Sequence, residues 1–390
     1  MVDHIVRRFD ELRLITGNAN PVLAQKIAEE LGHPLEKAEV GRFADGEIKV
    51  DWNCVVRGTD LFIIQPMCQT HHSLLTRPCL TEGAPGGKGD SVCSYQSIND
   101  NLMELLVMID AARRASAERI TAVVPYMAYA KQEKKKQGHE PITAKLVANL
   151  MTVAGAHRLL TMDLHTPAIE GFFDIPVDHM RMAFLMASHF RKRLNRKEVV
   201  VVSPDAGGVA RATEFRDQLK AGLQQSIARD ELAIAFKRRT PRGQPTLIDM
   251  VGDVEGRVAV IYDDIIQSGS TLLQVVERLL ERGAKEVHAA AVHADFVPGA
   301  LQQVMASPLK TLVLSDTTAT GLDAAGDKIE IVSSARILAQ AIWRIHTQRS
   351  VGWIFDTLRE TGKLPPIPSK GGLKPTRSRP LAESDSAETA

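Results

Sequence analysis

The stretch from Val258 to Leu273, VAVIYDDIIQSGSTLL, contains the residue types needed to bind a phosphorylated sugar. An apolar run stops at Asp263 and Asp264, and small polar residues follow before helical spacing resumes. Free backbone N–H groups at a helix N-terminus suit phosphate, and carboxylates accept hydrogen bonds from ribose hydroxyls. The stretch predicts a ribose 5-phosphate site, and the alternative is a solvated acid pair that caps the helix. The phosphate loop would be Gln267, Ser268, Gly269, Ser270 and Thr271.

Such a loop must be held by a strand on one side and a helix on the other. Short β-type runs alternate along the chain with amphipathic helical stretches, such as 101–117 and 271–284, and this alternation predicts an α/β protein with mainly parallel sheets flanked by helices. The predicted strands are 60–65, 120–126, 158–163, 198–205, 257–264, 286–292 and 310–316.

The two halves of the sequence resemble each other weakly. RGTDLFIIQP at 57–66 is similar to EGRVAVIYDD at 255–264, and 115–126 is similar to 282–293. We interpret the chain as two related α/β halves, with an insertion at Thr70–Gln96 in the first half. This Gly- and Pro-rich segment is a functional loop, a disordered loop or an error of the gene model, and all three readings place it outside the core.

Composition excludes several classes of function. The net charge of +1 gives no global field for nucleic acid, and no apolar segment is long enough to span a membrane or to serve as a signal peptide. The four cysteines match no usual zinc spacing and suit a reducing compartment, so we expect a cytoplasmic protein. The composition of residues 362–390 predicts a disordered tail.

Seven further stretches stand in one order along the chain with the phosphate-loop stretch: GRFADGEIKV (41–50), PYMAYAKQEKK (125–135), EPITAKLVANLM (140–151), MDLHTPAIEGFFDIPVDH (162–179), VVSPDAGGVAR (201–211), KRR (237–239) and VGDVEGR (251–257). Together the eight resemble the ribose-phosphate diphosphokinase (phosphoribosyl pyrophosphate synthetase) family from about Leu14 to Phe355. The resemblance implies two phosphoribosyltransferase-type (type I) domains, at 12–180 and 181–355.

The resemblance also implies an activity. The family moves the diphosphoryl group of ATP onto the C1 hydroxyl of ribose 5-phosphate, with Mg²⁺ as cofactor, and assembles as homo-oligomers, namely hexamers built from dimers. No nucleic acid and no membrane takes part.

The residues for ATP follow from the same resemblance. The lysine-rich loop at 131–136 would close over the phosphates, although four lysines in six residues are usually a solvated face. Without the resemblance, the segment at 43–47 would be a solvated edge with one buried Phe. The predicted ATP residues are Phe43, Asp45, Glu47, Lys131, Gln132 and His165.

Catalytic and metal roles are assigned by resemblance as well. Lys237, Arg239 and His165 would be catalytic, Arg239 would also contact ribose 5-phosphate, and Arg238 would point away because three consecutive residues cannot face one ligand. His165 and Asp205 would hold Mg²⁺.

The chain departs from the family pattern at several positions. Arg is usual where Lys131 and Lys134 stand, Asp where Gln267 stands, and Thr where Ser268 stands. Two other functions therefore stay open: a catalytically weak homologue that regulates active, related subunits, and a phosphoribosyltransferase. The second leaves the duplicated half unexplained.

Overall fold

The computed structural model describes residues 11–70, 96–194, 198–221, 232–239, 245–318 and 326–367, with the backbone alone at 237–239 and 245–248. Within these residues the chain forms two open β-sheets with helices on their faces, and one separate β-hairpin. The α/β class with mainly parallel sheets is therefore confirmed.

The first half of the chain, up to residue 180, contains the first sheet and the hairpin. The elements are β1 Leu12–Thr16, α1 Pro21–Leu31, β2 Ala38–Arg42, β3 Ile48–Trp52, β4 Asp60–Ile64, α2 Ile98–Arg114, β5 Arg119–Val124, α3 Thr143–Ala154, β6 Arg158–Met162, a 3-10 helix Pro167–Phe172 and β7 Val177–Met180. The sheet is parallel in the order β1-β4-β5-β6-β7, while β2 and β3 pair with each other in antiparallel fashion. All of β4 is buried, as expected for a strand covered by helices on both faces.

The second half contains the larger sheet. The elements are α4 Ala183–Leu194, β8 Val199–Ser203, α5 Val209–Lys220, β9 Leu232–Arg239, β10 Pro245–Val251, β11 Val258–Ile266, α6 Ser270–Glu281, β12 Glu286–Ala294, α7 Ala300–Ala306, β13 Thr311–Ser315, β14 Ile329–Val332, α8 Ala335–His346 and α9 Trp353–Thr361. The strand order is β10-β9-β8-β11-β12-β13-β14, and the β9–β10 pair is antiparallel. β11 continues past the two acids to Ile266, which pairs with Ala294 of β12.

The two halves repeat one order of elements. Each has a strand, a helix, an antiparallel hairpin and then four strands that extend the sheet, so that β1-β4-β5-β6-β7 corresponds to β8-β11-β12-β13-β14. The two stretches matched in the sequence, 57–66 and 255–264, contain β4 and β11, which occupy the same place in the repeat. Two related halves are therefore confirmed.

The helix that follows the last strand of each sheet packs on a helix of the other sheet, and we call α4 and α8 the exchanged helices. α4 follows β7 but packs on α5, and α8 follows β14 but packs on α1. Asp163 accepts a hydrogen bond from Met182 N, just before α4, at 2.8 Å, and Asp316 accepts one from Ser334 N, just before α8, at 2.7 Å. One hydrophobic cluster consequently contains side chains of both sheets and of both exchanged helices. The division into domains at 180/181 stays a prediction.

A buried ion cluster joins the end of α8 to the first sheet. Asp60 is fully buried and accepts a hydrogen bond from Arg119 Nε at 2.7 Å. His346 Nδ1 lies 2.9 Å from the other oxygen of Asp60, and Arg119 also donates to the carbonyl of Ile345 at 3.0 Å. The cluster lies at the amino ends of β4 and β5, away from the edge where ligands bind such sheets, so its role is structural.

The predicted insertion at 70–96 falls largely outside the described residues, and it stays a prediction. Its end residues belong to the packed structure: Thr70 and Gln96 are 2% and 8% exposed. Thr70 N donates to Gln96 O at 3.0 Å, and Gln96 N donates to Thr70 O at 3.4 Å. The two chain ends that border 71–95 therefore lie side by side as an antiparallel pair.

The predicted tail at 362–390 begins with packed residues. Leu364 and Ile367 lie against the large hydrophobic cluster, and Gln340 Nε2 donates to the carbonyl of Pro365 at 2.6 Å. Residues 368–390 lie outside the described part of the chain, where disorder stays a prediction. Among the described helices, none is both long and apolar enough to cross a membrane.

We expect that Asn-Gly can replace residues 71–95 without loss of stability. Thr70 and Gln96 form the hydrogen-bonded antiparallel pair that a two-residue turn closes, and loop closure costs only about 0.6 kcal/mol per twofold change in length. Thermal unfolding should give an unchanged or higher Tm. A matched shortened chain with Thr70→Pro, which removes the N–H that donates to the carbonyl of Gln96, should melt at a lower temperature. A shortened chain that does not fold would show that 71–95 is an integral element.

Candidate active site

A cleft with a volume of about 240 Å³ lies where the carboxyl ends of strands from both sheets meet. It is lined by residues 126–132 after β5, 162–165 at the end of β6 and by Asp264, Ile265 and Gln267 at the end of β11. Ligands of open α/β sheets bind beyond the carboxyl ends of the strands. The topology thus makes this cleft the candidate active site.

Arg211, at the start of α5, holds the two halves together in the cleft. Its Nη1 lies 2.8 Å from Asp263 Oδ1 and 3.0 Å from Asp264 Oδ1, and its Nη2 donates to the carbonyl of His165 at 3.2 Å. His165 Nδ1 lies 2.7 Å from Asp264 Oδ2. His165, from the first half, is thereby fixed against Asp264 and Arg211 of the second half.

The two acids have opposite electrostatic environments. Burial alone would raise the pKa of Asp264, but the hydrogen bond from His165 and the charge of Arg211 hold that pKa well below its usual range. Burial raises the pKa of Asp263, and the neighbouring Asp264 carboxylate raises it further. The lowered pKa favours the charged form of Asp264, and a carboxylate can only accept, so His165 Nδ1 donates to it. Nε2 of His165 is left for another ligand.

The phosphate loop, residues 267–271, leads from β11 into α6. Gly269 has φ 70°, a left-handed conformation that favours glycine, and an added Cβ would meet Val304 at 3.2 Å. Ser268 Oγ lies 2.9 Å from Ser270 Oγ. Ser270 N, the first N–H of α6, donates to Ser268 Oγ at 3.4 Å, and the N-cap residue Gly269 has no side chain that could cap the helix. A helix N-terminus in such a small-residue loop suits phosphate.

The lysine-rich loop, residues 131–136, meets the phosphate loop directly. Lys131 Nζ donates to Gln267 Oε1, and Gln132 Oε1 accepts from the hydroxyl of Thr143, the first residue of α3, at 3.0 Å. Lys134 pairs with its neighbour Glu133 at 3.2 Å. The structure therefore brings Lys131, Gln132, His165, Asp264 and Gln267 to one cleft. The assignment of the first three to ATP and of the other two to ribose 5-phosphate stays a prediction.

Other predicted site residues lie elsewhere in the described structure. Phe43, Asp45 and Glu47 form the turn of the β2–β3 hairpin, where Phe43 is 52% exposed, and none of the three is among the described residues that line the cleft. Asp205 lies in the turn after β8, and its Oδ1 accepts from Gly208 N at 2.9 Å. Lys237 and Arg239 lie on β9, where only their backbone is described. The roles of all these residues stay predictions.

Four residues at or behind the cleft were not singled out by sequence reasoning: Arg211, Asp163, His293 and Asp295. Asp163, His293 and Asp295 lie at the carboxyl ends of β6 and β12, the same position that drew attention to the acids of β11. Their position at a strand end could therefore have identified three of the four residues from the sequence. Arg211 lies on a helix, where its sequence neighbours gave no sign of a buried partner.

His293 packs behind the cleft as a neutral imidazole. It is 3% exposed, its Nδ1 lies 2.9 Å from the hydroxyl of Thr317 and its Nε2 lies 3.2 Å from the carbonyl of Asp163. Its ring is tilted against Tyr126 at a centroid distance of 4.9 Å. Burial lowers the pKa of His293 to about 4.

The capacity of the site for a metal ion depends on the donor side chains that the structure brings together. Among the described residues there is no group of three or more His, Cys, Asp or Glu side chains arranged to hold a metal ion. Mg²⁺ in kinase-type sites is bound by one or two carboxylates, with water and substrate phosphates as the other ligands. The residues thus fit an ion that arrives with a nucleotide, and His165, oriented by Asp264, has the carboxylate–histidine arrangement seen around metal sites.

Comparison with known proteins assigns the chain to a family. Residues 12–155 match the model of the N-terminal domain of ribose phosphate pyrophosphokinase, and residues 225–356 match that of the phosphoribosyl synthetase-associated domain. The chain is 42% identical to ribose-phosphate pyrophosphokinase of Caldanaerobacter subterraneus over 90% of this chain and 100% of the relative. It is 40% identical to the chloroplastic ribose-phosphate pyrophosphokinase 2 of Arabidopsis thaliana over 90% of this chain and 79% of that one.

A solved structure agrees with the sequence matches. Phosphoribosylpyrophosphate synthetase from Mycobacterium smegmatis superimposes with a TM-score of 0.72 at 35% identity, covering 87% of this chain and 99% of that one. The chain therefore belongs to the ribose-phosphate pyrophosphokinase family of enzymes. The resemblance stated from the sequence is confirmed.

We expect the buried, neutral His293 to make stability fall in acid. Because its folded pKa of about 4 lies below the usual value, its contribution is fully present above about pH 6.5 and is lost as pH falls towards 4. Between pH 7 and 4.5, the wild type should lose about 2 kcal/mol more free energy of unfolding in urea than His293→Gln, which does not titrate. His139→Gln, at an exposed histidine, is the control and should follow the wild type. Parallel pH profiles for wild type and His293→Gln would contradict this account.

Proposed function

We propose that the chain transfers the diphosphoryl group of ATP to the C1 hydroxyl of ribose 5-phosphate, giving 5-phosphoribosyl 1-diphosphate and AMP. The observation that carries the proposal is the contact between the lysine-rich loop and the phosphate loop, made by Lys131 and Gln267 across one cleft. Transfer between two bound substrates requires both at one place, in reacting geometry. The relatives named ribose-phosphate pyrophosphokinase support the same reaction.

Ribose 5-phosphate would lie on the second-half side of the cleft. Its phosphate binds the N–H groups and hydroxyls of 268–271, and its ring hydroxyls donate to the carboxylates of Asp263 and Asp264. The side chain of Asp263 is 27% exposed and that of Asp264 is 6% exposed, so Asp263 offers more of its surface. Arg211 holds both carboxylates in place.

ATP would lie on the first-half side, with its phosphates between the lysine-rich loop and His165. His165 and Asp205 would hold a Mg²⁺ ion that arrives with the nucleotide, and the ion would supply charge neutralisation. The C1 oxygen forms a bond to the β-phosphorus and its hydroxyl proton passes to solvent, while the bond from that phosphorus to the oxygen of the α-phosphate breaks. Lys131 stabilises and orients the phosphates during this step, and the role of His165 is to hold the ion beside them.

β9 would bring further cations to the reacting phosphates. β9 and β10 form the hairpin of the second half, at the place in the repeat that β2 and β3 occupy in the first. We assign Lys237 to charge stabilisation in the transition state and Arg239 to ribose 5-phosphate. We place the reaction in the cytoplasm, where a thiol such as that of Cys54 would remain reduced.

Purified protein with ATP, Mg²⁺ and ribose 5-phosphate should form equal amounts of AMP and 5-phosphoribosyl 1-diphosphate. Lys237→Ala should lower kcat by about a thousandfold, because a preorganised cation acts mainly in the transition state. Arg238→Ala, the adjacent basic residue, is the matched control and should keep near wild-type turnover. Failure of the wild type to turn over would favour the regulatory homologue, and normal turnover of Lys237→Ala would remove Lys237 from the mechanism.

The exposed hairpin turn suggests how a homo-oligomer would complete the site. Phe43 is half exposed and does not line the cleft of its own chain. We propose that the turn of one copy supplies Phe43, Asp45 and Glu47 to the adenine of ATP in the cleft of another copy. This arrangement makes oligomerisation necessary for ATP binding.

Mixing variants tests this arrangement. Phe43→Ala and His165→Ala should each be nearly inactive, but co-expressed they should recover about a quarter of wild-type activity, because hybrid dimers contain one intact site. Phe43→Ala mixed with Glu47→Ala is the control and should recover none, since both changes lie on the same turn. No recovery in the first mixture would mean that each chain builds its own ATP site.

A further inference from the structure

Three side chains connect the lysine-rich loop to the end of β12. Lys131 Nζ donates to Gln267 Oε1, and Gln267 Nε2 donates to Asp295 Oδ2 at 3.0 Å. We call this connection, Lys131–Gln267–Asp295, the amide bridge. It passes from an exposed cation, through an amide at the start of the phosphate loop, to a buried carboxylate.

Asp295 is held rigidly. It is 3% exposed, its backbone N donates to the carbonyl of Ile266 at 3.0 Å, and Val297 N donates to the carbonyl of Gln267 at 3.1 Å. Its Oδ1 accepts from Gln69 N at 3.4 Å. Within the described part of the chain no Lys, Arg or His forms an ion pair with Asp295, so its charge is stabilised by amide donors, as a buried carboxylate requires.

An amide suits position 267 better than either a carboxylate or a hydrocarbon. A glutamine side chain can accept from an ammonium group with its oxygen and donate to a carboxylate with its nitrogen at the same time. An aspartate at 267 would place a second negative charge near Asp295, and a leucine would bond to neither partner. The amide therefore joins unlike groups without neutralising Lys131, whose charge stays available for phosphate.

The lysine-rich loop is held at both ends, and the Lys131 side chain reaches from it across the cleft. Tyr129 and His139, on either side of it, have φ of 63° and 70°, which non-glycine residues rarely adopt. At its far end, the side chain of Glu140 accepts from Lys136 N at 2.7 Å and from Gln137 N at 3.2 Å. Because the Lys131 side chain bonds to Gln267 Oε1, a change at Gln267 acts directly on that side chain.

We propose that Asp295 is a positioning residue, and that the amide bridge makes the binding of ribose 5-phosphate and of ATP mutually favourable. The inference rests on the proposed function, because it takes those two molecules as the ligands. Ribose 5-phosphate orders the phosphate loop, which presents Gln267 Oε1 to Lys131 and holds the lysine-rich loop where ATP binds. By linkage, ATP must raise the affinity for ribose 5-phosphate by the same factor.

Calorimetry tests the coupling without turnover. The dissociation constant of the α,β-methylene analogue of ATP, which cannot transfer its diphosphoryl group, is measured with Mg²⁺ in the presence and absence of saturating ribose 5-phosphate. We expect ribose 5-phosphate to tighten binding of the analogue to the wild type by about fivefold or more. Gln267→Leu and Asp295→Asn should bring this factor close to one, and Lys131→Arg, which keeps the cation, should preserve it.

A double-mutant cycle separates the bridge from general charge effects. Lys131→Met and Gln267→Leu should be strongly non-additive in the affinity for the analogue, because each alone already breaks the bridge. Lys135→Met, in the same loop, is the matched control and should combine additively with Gln267→Leu. If Asp295→Asn fails to fold, Gln267→Leu, at the partly exposed end of the bridge, carries the same test.

The outcomes distinguish this inference from the proposed function. A coupling factor that survives Gln267→Leu, or an additive Lys131/Gln267 cycle, overturns the bridge even if the enzyme turns over normally. The wild type could show coupled binding that Gln267→Leu abolishes and yet form no AMP; this result would support the amide bridge and overturn the proposed reaction. A protein that binds neither ligand would overturn both the amide bridge and the proposed reaction.

Discussion

The candidate site depends on one guanidinium group. Asp263 and Asp264 are adjacent, and two carboxylates at the edge of a sheet repel each other, so a nearby cation is needed to favour their charged forms. Arg211, with a side chain only 14% exposed, provides that cation to both. Since Arg211 also binds the carbonyl of His165, the same group sets the electrostatics of the site and the relative placement of the two halves at the cleft.

The environment that Arg211 creates separates the roles of two identical side chains. The pKa of Asp264 is held low, and this residue orients His165, whereas the pKa of Asp263 is raised and its carboxyl group is the more exposed. Neighbouring acids with pKa values pushed apart are a common way to obtain two chemical functions from one residue type. Here one acid serves the architecture of the site, and the other is accessible to a ligand.

Sequence patterns predicted the parts of the fold that depend on short stretches of the chain. The long apolar runs are strands, and the turn from β11 to α6 lies where small residues and acids predicted it. β7 and β14, at sheet edges, have partly buried, mixed sequences that carry little hydrophobic periodicity. The amide bridge and the contacts of Arg211 join residues far apart in the chain, and no spacing in the sequence encodes such pairs. The sequence could not predict the packing partners of α4 and α8 either, because the pattern of an amphipathic helix shows that one face is buried but not which element covers it.

The exchanged helices also set the order in which the chain can fold. The apolar face of α1, formed by residues such as Leu23 and Ile27, is covered by α8, which begins only at Ala335. At synthesis rates of about 5–20 residues per second, the ribosome needs roughly 15 to 60 s to pass from Leu31 to Ala335. Throughout that interval the nascent first half has strands that can pair and a helix face that α8 does not yet cover. Contacts between such distant segments slow folding, so a newly made chain keeps part of the apolar face of α1 exposed until Ala335 and the residues after it have been made.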